Sequence, residues 1–216
     1  MQGDKLVIKE HHTARAEELI PVIQARWHPK FTISIAGESG CGKSELAFEL
    51  ARLLLTDAKP AGILQQDDYF VFPPKTNHAM RGLNLEQVGP YEVKLDFLDS
   101  NLRSFKRGEA EIYKPLVYYE EDRIDIEEME VGGFDVLIAE GTYTSLLNFI
   151  DFRIFIDRDY RKTLEARRLR GRDTFEPFIE DVLRREHEII SQHKVFADVV
   201  IPETYDRIIV HADERT

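Results

Sequence analysis

The chain has 216 residues, 43% of them hydrophobic and 32% charged, the composition of a globular protein with one well-filled core. Its formal net charge of −11 excludes a broad basic face for nucleic acid or for an anionic membrane, so cations that handle a ligand must be gathered locally. No run of eighteen apolar residues marks a membrane span, Met1 to Glu10 lacks the pattern of a secretory leader, and the single cysteine, Cys41, allows no intramolecular disulfide, so a cytoplasmic protein is expected.

In chain order, Leu6 to Lys9 reads as a short strand, followed by a helix capped by Thr13 and running to about Trp27, with Glu17 and Glu18 in its first turns. Ala16, Leu19, Ile20 and Ile23 recur at helical spacing and give it a packing face. His11 and His12 are adjacent, point to opposite faces if extended, and lack a Cys or acidic partner pattern. They read as a solvated pair and not as metal ligands.

The apolar run Phe31 to Ala36 leads into Gly37-Glu38-Ser39-Gly40-Cys41-Gly42-Lys43-Ser44, which fits G-x-x-x-x-G-K-[ST]. A loop so poor in bulky side chains lets successive backbone N–H groups converge on a polyphosphate. The Ala-, Leu- and Glu-rich stretch Ser44 to Leu55 predicts a helix whose positive end adds to that field. Lys43 then reaches the β and γ phosphates of ATP, and the Ser44 hydroxyl ligates Mg²⁺. The competing reading, a glycine-rich connector, does not explain why strand, helix and Lys-Ser pair are all in register. The loop alone does not name an activity, because ATPases, GTPases and small-molecule kinases share it.

Further apolar runs follow at Gly62 to Gln65, Val136 to Ala139, Phe152 to Ile156 and Val199 to Ile201. Runs that are apolar throughout belong to a parallel sheet covered on both faces. The expected fold is therefore α/β, a single P-loop domain built as a three-layer sandwich around a mainly parallel sheet. Residues 1–30 form an extension to it, and about 161–175 an arginine-rich lid. Residues 70 to 130 depart from the repeat, with a helix predicted over Tyr91 to Lys106, stopped by Gly108, and a β-hairpin over "EIYKPLVYYEEDRIDI". Insertions of this kind shape a second substrate's site.

Acidic residues follow strands where open α/β sheets bind ligands. "LQQDDYF" carries Asp67 and Asp68. Phosphoryl transfer to an alcohol needs a carboxylate to take its proton, and Asp67 is the candidate, against a reading of both as turn residues. Glu140 closes "DVLIAEGTY" and falls near the loop serine, in reach of Mg²⁺, whereas Asp135 sits at the wrong end of that strand. The stretch 161 to 173 is rich in arginine in an acidic protein. Arg170 and Arg172 flank Gly171, where a helix should break, and are the lid candidates that stabilise charge on the transferred group; for Arg161, Lys162 and Arg168 a solvated helix face stays open.

With these motifs in order, the chain resembles the uridine kinase branch of the P-loop small-molecule kinases, a group that includes phosphoribulokinases and pantothenate kinases. The likeness covers most of residues 31 to 202: "GESGCGKS", "QQDDYF" in place of Gln-Asp-Ser-Phe-Tyr, "KPLVYY" near a Pro-Val-Tyr segment, "DVLIAEGTY", "RGRD" and "FADVVIP". It implies ATP as donor, Asp67 as base, Ser44 and Glu140 around Mg²⁺, and Arg170 and Arg172 in the lid. The chain departs from the family at "NLEQVGPYE", which keeps an acid at Glu86 but lacks the family's His-Pro, and at "YYEEDR", where Asp122 and Arg123 stand near the place of a histidine.

The resemblance points to a nucleoside acceptor, uridine or cytidine, stacked on Tyr118 or Tyr119 with Glu86 accepting from ribose hydroxyls; Phe70, Asp122, Arg123 and Arg167 complete the candidate acceptor set. Those tyrosines could equally fill the hairpin's packed face. Rival readings are the same chemistry on another hydroxylated metabolite, such as a sugar phosphate or a pantothenate-like acceptor, and a nucleotide-binding switch. Against the switch, the chain has no Asp-x-x-Gly, and its one Lys-x-Asp, in "VKLD", lacks a preceding Asn. The expected partner is a small molecule, and a homo-oligomer is compatible with the sequence.

Overall fold

The structure is a computed structural model and describes residues 6–165 and 177–211. The predicted apolar runs form five strands of a six-stranded sheet: β1 (Phe31–Gly37), β2 (Ala61–Gln65), β5 (Val136–Gly141), β6 (Phe152–Asp157) and β7 (Val199–Pro202), with a short β8 (Ile209–Val210) at one edge. Their order is β2-β5-β1-β6-β7-β8, and every pairing is parallel except that of β8 with β7. Every residue of β1 and β5 is buried, because helices lie on both faces of the sheet.

On one face, α1 (Glu10–Gln24) and α2 (Lys43–Thr56) bring Leu19, Ile23, Leu46 and Leu50 into a core with Ile33, Ile35 and Ile138. On the other, α4 (Leu95–Lys106) brings Leu98, Leu102 and Phe105 together with Leu137 and Ala139. Consecutive residues of β5 thus feed opposite cores, the period-two rule of a strand. This is the α/β three-layer sandwich expected.

Between β2 and β5 the chain inserts a 3₁₀ turn (Gln66–Tyr69), α3 (Pro74–Leu83), α4 and the expected antiparallel hairpin, β3 (Glu111–Tyr118) with β4 (Arg123–Glu130). The helix predicted from Tyr91 begins later. Pro90–Glu92 is a separate 3₁₀ turn, closed by the Gly89 N–H donating to the Glu92 carboxylate at 2.7 Å, and Val93 bridges to Phe70 before α4 starts. A last helix, α5 (Pro177–Ile190), precedes β7.

The N-terminal expectations need correction. Residues 6–9 form no strand; the Val7 N–H faces the Glu45 carboxylate at 3.5 Å instead of a neighbouring strand. Helix α1 starts at Glu10 with Lys9 as its cap residue, and Thr13 lies inside it, donating its hydroxyl to Glu49 of α2 at 2.8 Å. His11 and His12 are therefore helical, and His12 is buried against Tyr205 (ring centroids 5.5 Å apart) where a solvated pair was expected. Burial, then the neighbouring His11, lowers the His12 pKa to about 4.

Candidate active site

The loop after β1 approaches other backbone and side chains too closely for ordinary residues. Gly42 has φ +105°, and a Cβ there would lie 2.6 Å from the Tyr205 hydroxyl and 2.9 Å from His12 Nε2. The rest of the protein grips the loop mainly by its carbonyls. Tyr205 donates its hydroxyl to Cys41 O at 2.6 Å, and Thr163 donates its hydroxyl to Ser39 O at 2.8 Å. A grip on carbonyl oxygens is compatible with amides converging on an anion at the start of α2. The buried Lys43 ammonium donates to Glu38 O at 2.9 Å.

The Glu38 side chain is drawn into the scaffold. Its carboxylate accepts from the Tyr160 N–H at 2.7 Å and lies 2.6 Å from His187 Nδ1 of α5. Burial pushes the Glu38 carboxyl up, against the lowering effect of those two hydrogen bonds.

Parallel pairing sets Glu140 opposite both Ile35 and Gln65, so it stands at the carboxyl end of β5 between β1 and β2. There Ser44 Oγ donates to Glu140 Oε1 at 3.0 Å, with both residues buried. Two hard oxygens fixed beside a phosphate-binding loop fit Mg²⁺, which takes few protein ligands and completes its shell with phosphate and water oxygens. Gly141, next in line, is needed for close approach: a Cβ would sit 2.2 Å from Gln66 Cβ. That contact brings the end of β5 onto the turn that carries Asp67.

Asp67 is exposed on this turn, just past β2. Asp68, its neighbour, is buried: it accepts the Val117 N–H at 3.0 Å and pairs with Lys114 at 3.3 Å, tying the turn to the hairpin. A cavity of about 360 Å³ opens beside Ser44 and Glu140, with Gln65, Asp68, Lys114 and Glu127 also on its wall.

The other predicted acceptor residues are placed as follows. Phe70 is half-buried beneath the Arg81 guanidinium, 5.7 Å from its ring centroid. Glu86 is exposed on a 3₁₀ turn and its N–H donates to the Asn84 side chain at 2.9 Å. Tyr118 lies under the Arg123 guanidinium at 4.2 Å, and Arg123 pairs with Glu121 and Asp125. Tyr119 lies 6.0 Å from the Lys75 ammonium. Asp122 accepts from the Lys75 N–H and the Thr76 hydroxyl, each at 2.6 Å, and so clasps the hairpin tip to the first turn of α3. Arg167, Arg168, Arg170 and Arg172 lie outside the described residues. Arg161 is exposed and paired with Asp159 at 3.0 Å.

Sequence reasoning missed a buried ionic cluster that joins α3, the Pro90–Glu92 turn and α5. Arg81 of α3 donates to Glu92 through Nε (2.5 Å) and Nη2 (3.2 Å), and to Glu186 of α5 through Nη2 (3.1 Å). Burial alone would lower the Arg81 pKa, but Glu186 and Glu92 outweigh it and keep the guanidinium charged. Burial raises the Glu186 pKa, with Arg81 and Lys43 opposing and Glu92 and Asp67 reinforcing. No local periodicity links positions 81, 92 and 186; a charged residue on the otherwise apolar face of α5 was the one available signal.

A family model described as the phosphoribulokinase / uridine kinase family matches residues 32–207. The chain is 30% identical to a uridine kinase of Brevibacillus brevis, a match over 82% of this chain and 86% of that protein. It is 28% identical to a bifunctional alpha-galactosidase/sucrose kinase of Mediterraneibacter gnavus over 80% of this chain, spanning only 20% of that longer protein. A solved structure of a possible uridine kinase from Bacillus stearothermophilus aligns with a TM-score of 0.64 at 20% identity, covering 87% of this chain and 97% of that one. At that identity the likeness speaks to the fold.

Proposed function

The chain belongs to the phosphoribulokinase / uridine kinase family, whose members are kinases, and on that premise we propose that it moves the γ-phosphoryl group of ATP to a hydroxyl of uridine or cytidine in the cytoplasm. The observation that carries this reading is the Ser44–Glu140 contact of 3.0 Å at the foot of the phosphate loop, with Asp67 just past the neighbouring strand.

Lys43 donates to a neutral carbonyl in the structure; a γ-phosphate is a stronger, charged acceptor that would draw the ammonium across to it. Ser44 and Glu140 would hold Mg²⁺, which neutralises charge on the phosphates when bound. Asp67 accepts the acceptor's hydroxyl proton. As that oxygen bonds to the γ-phosphorus, the bond from phosphorus to the β–γ bridging oxygen breaks and ADP leaves. Arg170 and Arg172 would close over the transferring group.

A second reading keeps this machinery and changes the acceptor to a sugar, and the sucrose kinase relative favours it. The transfer chemistry common to both is tested with Asp67→Asn. Turnover should fall by about 10²- to 10⁴-fold while ATP affinity stays within about twofold. Equal losses in both would remove Asp67 from the role of base.

A further inference from the structure

Two carbonyls of the phosphate loop are held from outside, Ser39 O by the Thr163 hydroxyl at 2.8 Å and Cys41 O by the Tyr205 hydroxyl at 2.6 Å. The structure has no cis peptide. In a trans peptide the N–H points opposite to the carbonyl, so the Gly40 and Gly42 N–H groups face away from Thr163 and Tyr205. Both glycines are buried, and among the described residues neither N–H donates to a hydrogen bond. Buried amides without an acceptor are costly, and two of them in one loop fit a bound anion.

A peptide that precedes glycine flips readily, because glycine takes either sign of φ. Flipped, the 41–42 peptide would turn its carbonyl oxygen toward a phosphate and repel it. Tyr205 opposes the flip, since its hydroxyl meets the Cys41 oxygen in the orientation that leaves the Gly42 amide free. The tyrosine is itself clamped. Its φ of +54° is uncommon for a residue with a side chain, and helix α1 holds it there. Arg15, 7% exposed, donates from Nη1 to Tyr205 O at 2.6 Å. Glu18, which accepts from Arg15 Nη2 at 2.5 Å, also accepts the Ile208 N–H at 3.2 Å, so one turn of α1 grips both sides of the tyrosine's own turn. Resting on the reading of the loop as an ATP site, we propose that Tyr205 is a positioning residue that keeps the 41–42 peptide in its anion-binding orientation, and that the N-terminal helix serves the phosphate loop through Arg15. Donors already set in place cost less to order when the ligand arrives, so the effect falls on affinity for polyphosphate.

The test titrates the full-length wild type, Tyr205→Phe, Arg15→Gln and the double variant with ATP, ADP and inorganic tripolyphosphate, each with Mg²⁺, by calorimetry, and records melting temperature and ADP release beside it. Phenylalanine keeps the ring against His11 and His12, so Tyr205→Phe should fold. It should weaken ATP, ADP and tripolyphosphate by one common factor of about two- to tenfold, the worth of a neutral hydrogen bond, and raise the ATP KM by that factor with kcat within about twofold. Arg15→Gln should weaken all three by less, and the double variant should bind no more weakly than Tyr205→Phe, because Arg15 acts through the tyrosine. A lower melting temperature in Tyr205→Phe with wild-type tripolyphosphate affinity makes the tyrosine merely structural and overturns the proposal. So does a loss confined to ATP and ADP, or a wild type that binds ATP without any affinity for tripolyphosphate, since either moves the effect to the base. Additive losses in the double variant overturn the role of α1. If the wild type binds none of the three, the ATP reading falls and the proposal with it. The predicted losses without turnover of any acceptor refute phosphotransfer alone and leave Tyr205 as the positioning residue of a nucleotide-binding loop.

Discussion

Replacing Arg81 by Met should destabilise the fold more than any other single change at the acceptor side. The guanidinium is mostly buried, its side chain 18% exposed, and it bridges Glu92 and Glu186, themselves 5% and 9% exposed. Methionine nearly fills the space but leaves two carboxylates facing each other. Glu92 keeps Asn77 and the Gly89 N–H, whereas Glu186 loses its hydrogen bond from Arg81. Breaking a buried pair by removing one partner costs about 3–5 kcal/mol, which for a chain of this size lowers the melting temperature by roughly 10 °C. The loss depends on pH. Glu186 already has its folded pKa raised by burial, so the folded protein holds that proton to higher pH than the unfolded chain does. Such a group contributes stability below its unfolded pKa that is lost as pH rises through the folded one. Removing the guanidinium raises the folded pKa further, so the deficit of the variant should be smallest at acid pH and grow as pH rises. Urea unfolding at several pH values measures it. A deficit below about 1 kcal/mol at neutral pH, or one that grows toward acid, would refute the view that Arg81 holds this cluster together.

At the back of the phosphate loop, His12 has its pKa lowered to about 4 from 6.5, so between those values the unfolded chain binds the extra proton. Stability should therefore fall as pH drops from 6.5 toward 4, by up to roughly 3 kcal/mol, and His12→Gln should flatten that slope in a pH series of unfolding curves. Asp122→Ala should cost about 1 kcal/mol by removing the clasp on the first turn of α3, with little change in acceptor KM. A raised acceptor KM at unchanged melting temperature would instead put Asp122 in contact with the substrate.

Local signals were legible where the chemistry is local. The strand runs, the loop "GESGCGKS" and Glu140 all lie within short continuous stretches whose pattern dictates their neighbours, and parallel pairing then brings Glu140 to Ser44. The start of α1 was misplaced because the Thr13 hydroxyl serves Glu49, 36 positions away, and not its own helix end. His12 reads as a surface residue until Tyr205, nearly the whole chain distant, is folded against it. The Arg81–Glu92–Glu186 cluster joins α3, a turn and α5 across 105 positions, and each member alone looks like an ordinary surface charge. Glu86, chosen because an acid was expected there, is exposed, and the buried acid of that segment is Glu92.

The proposed phosphotransfer is tested most directly by ADP release from ATP and Mg²⁺ in the presence of uridine, cytidine or no acceptor, with wild type and Asp67→Asn side by side. ADP appearing only with an added pyrimidine nucleoside, together with the nucleoside 5′-monophosphate, and vanishing in Asp67→Asn, is the expected result. ATP binding without turnover of either nucleoside would contradict the acceptor assignment, and equal ADP release with and without acceptor would contradict phosphotransfer to a small molecule altogether.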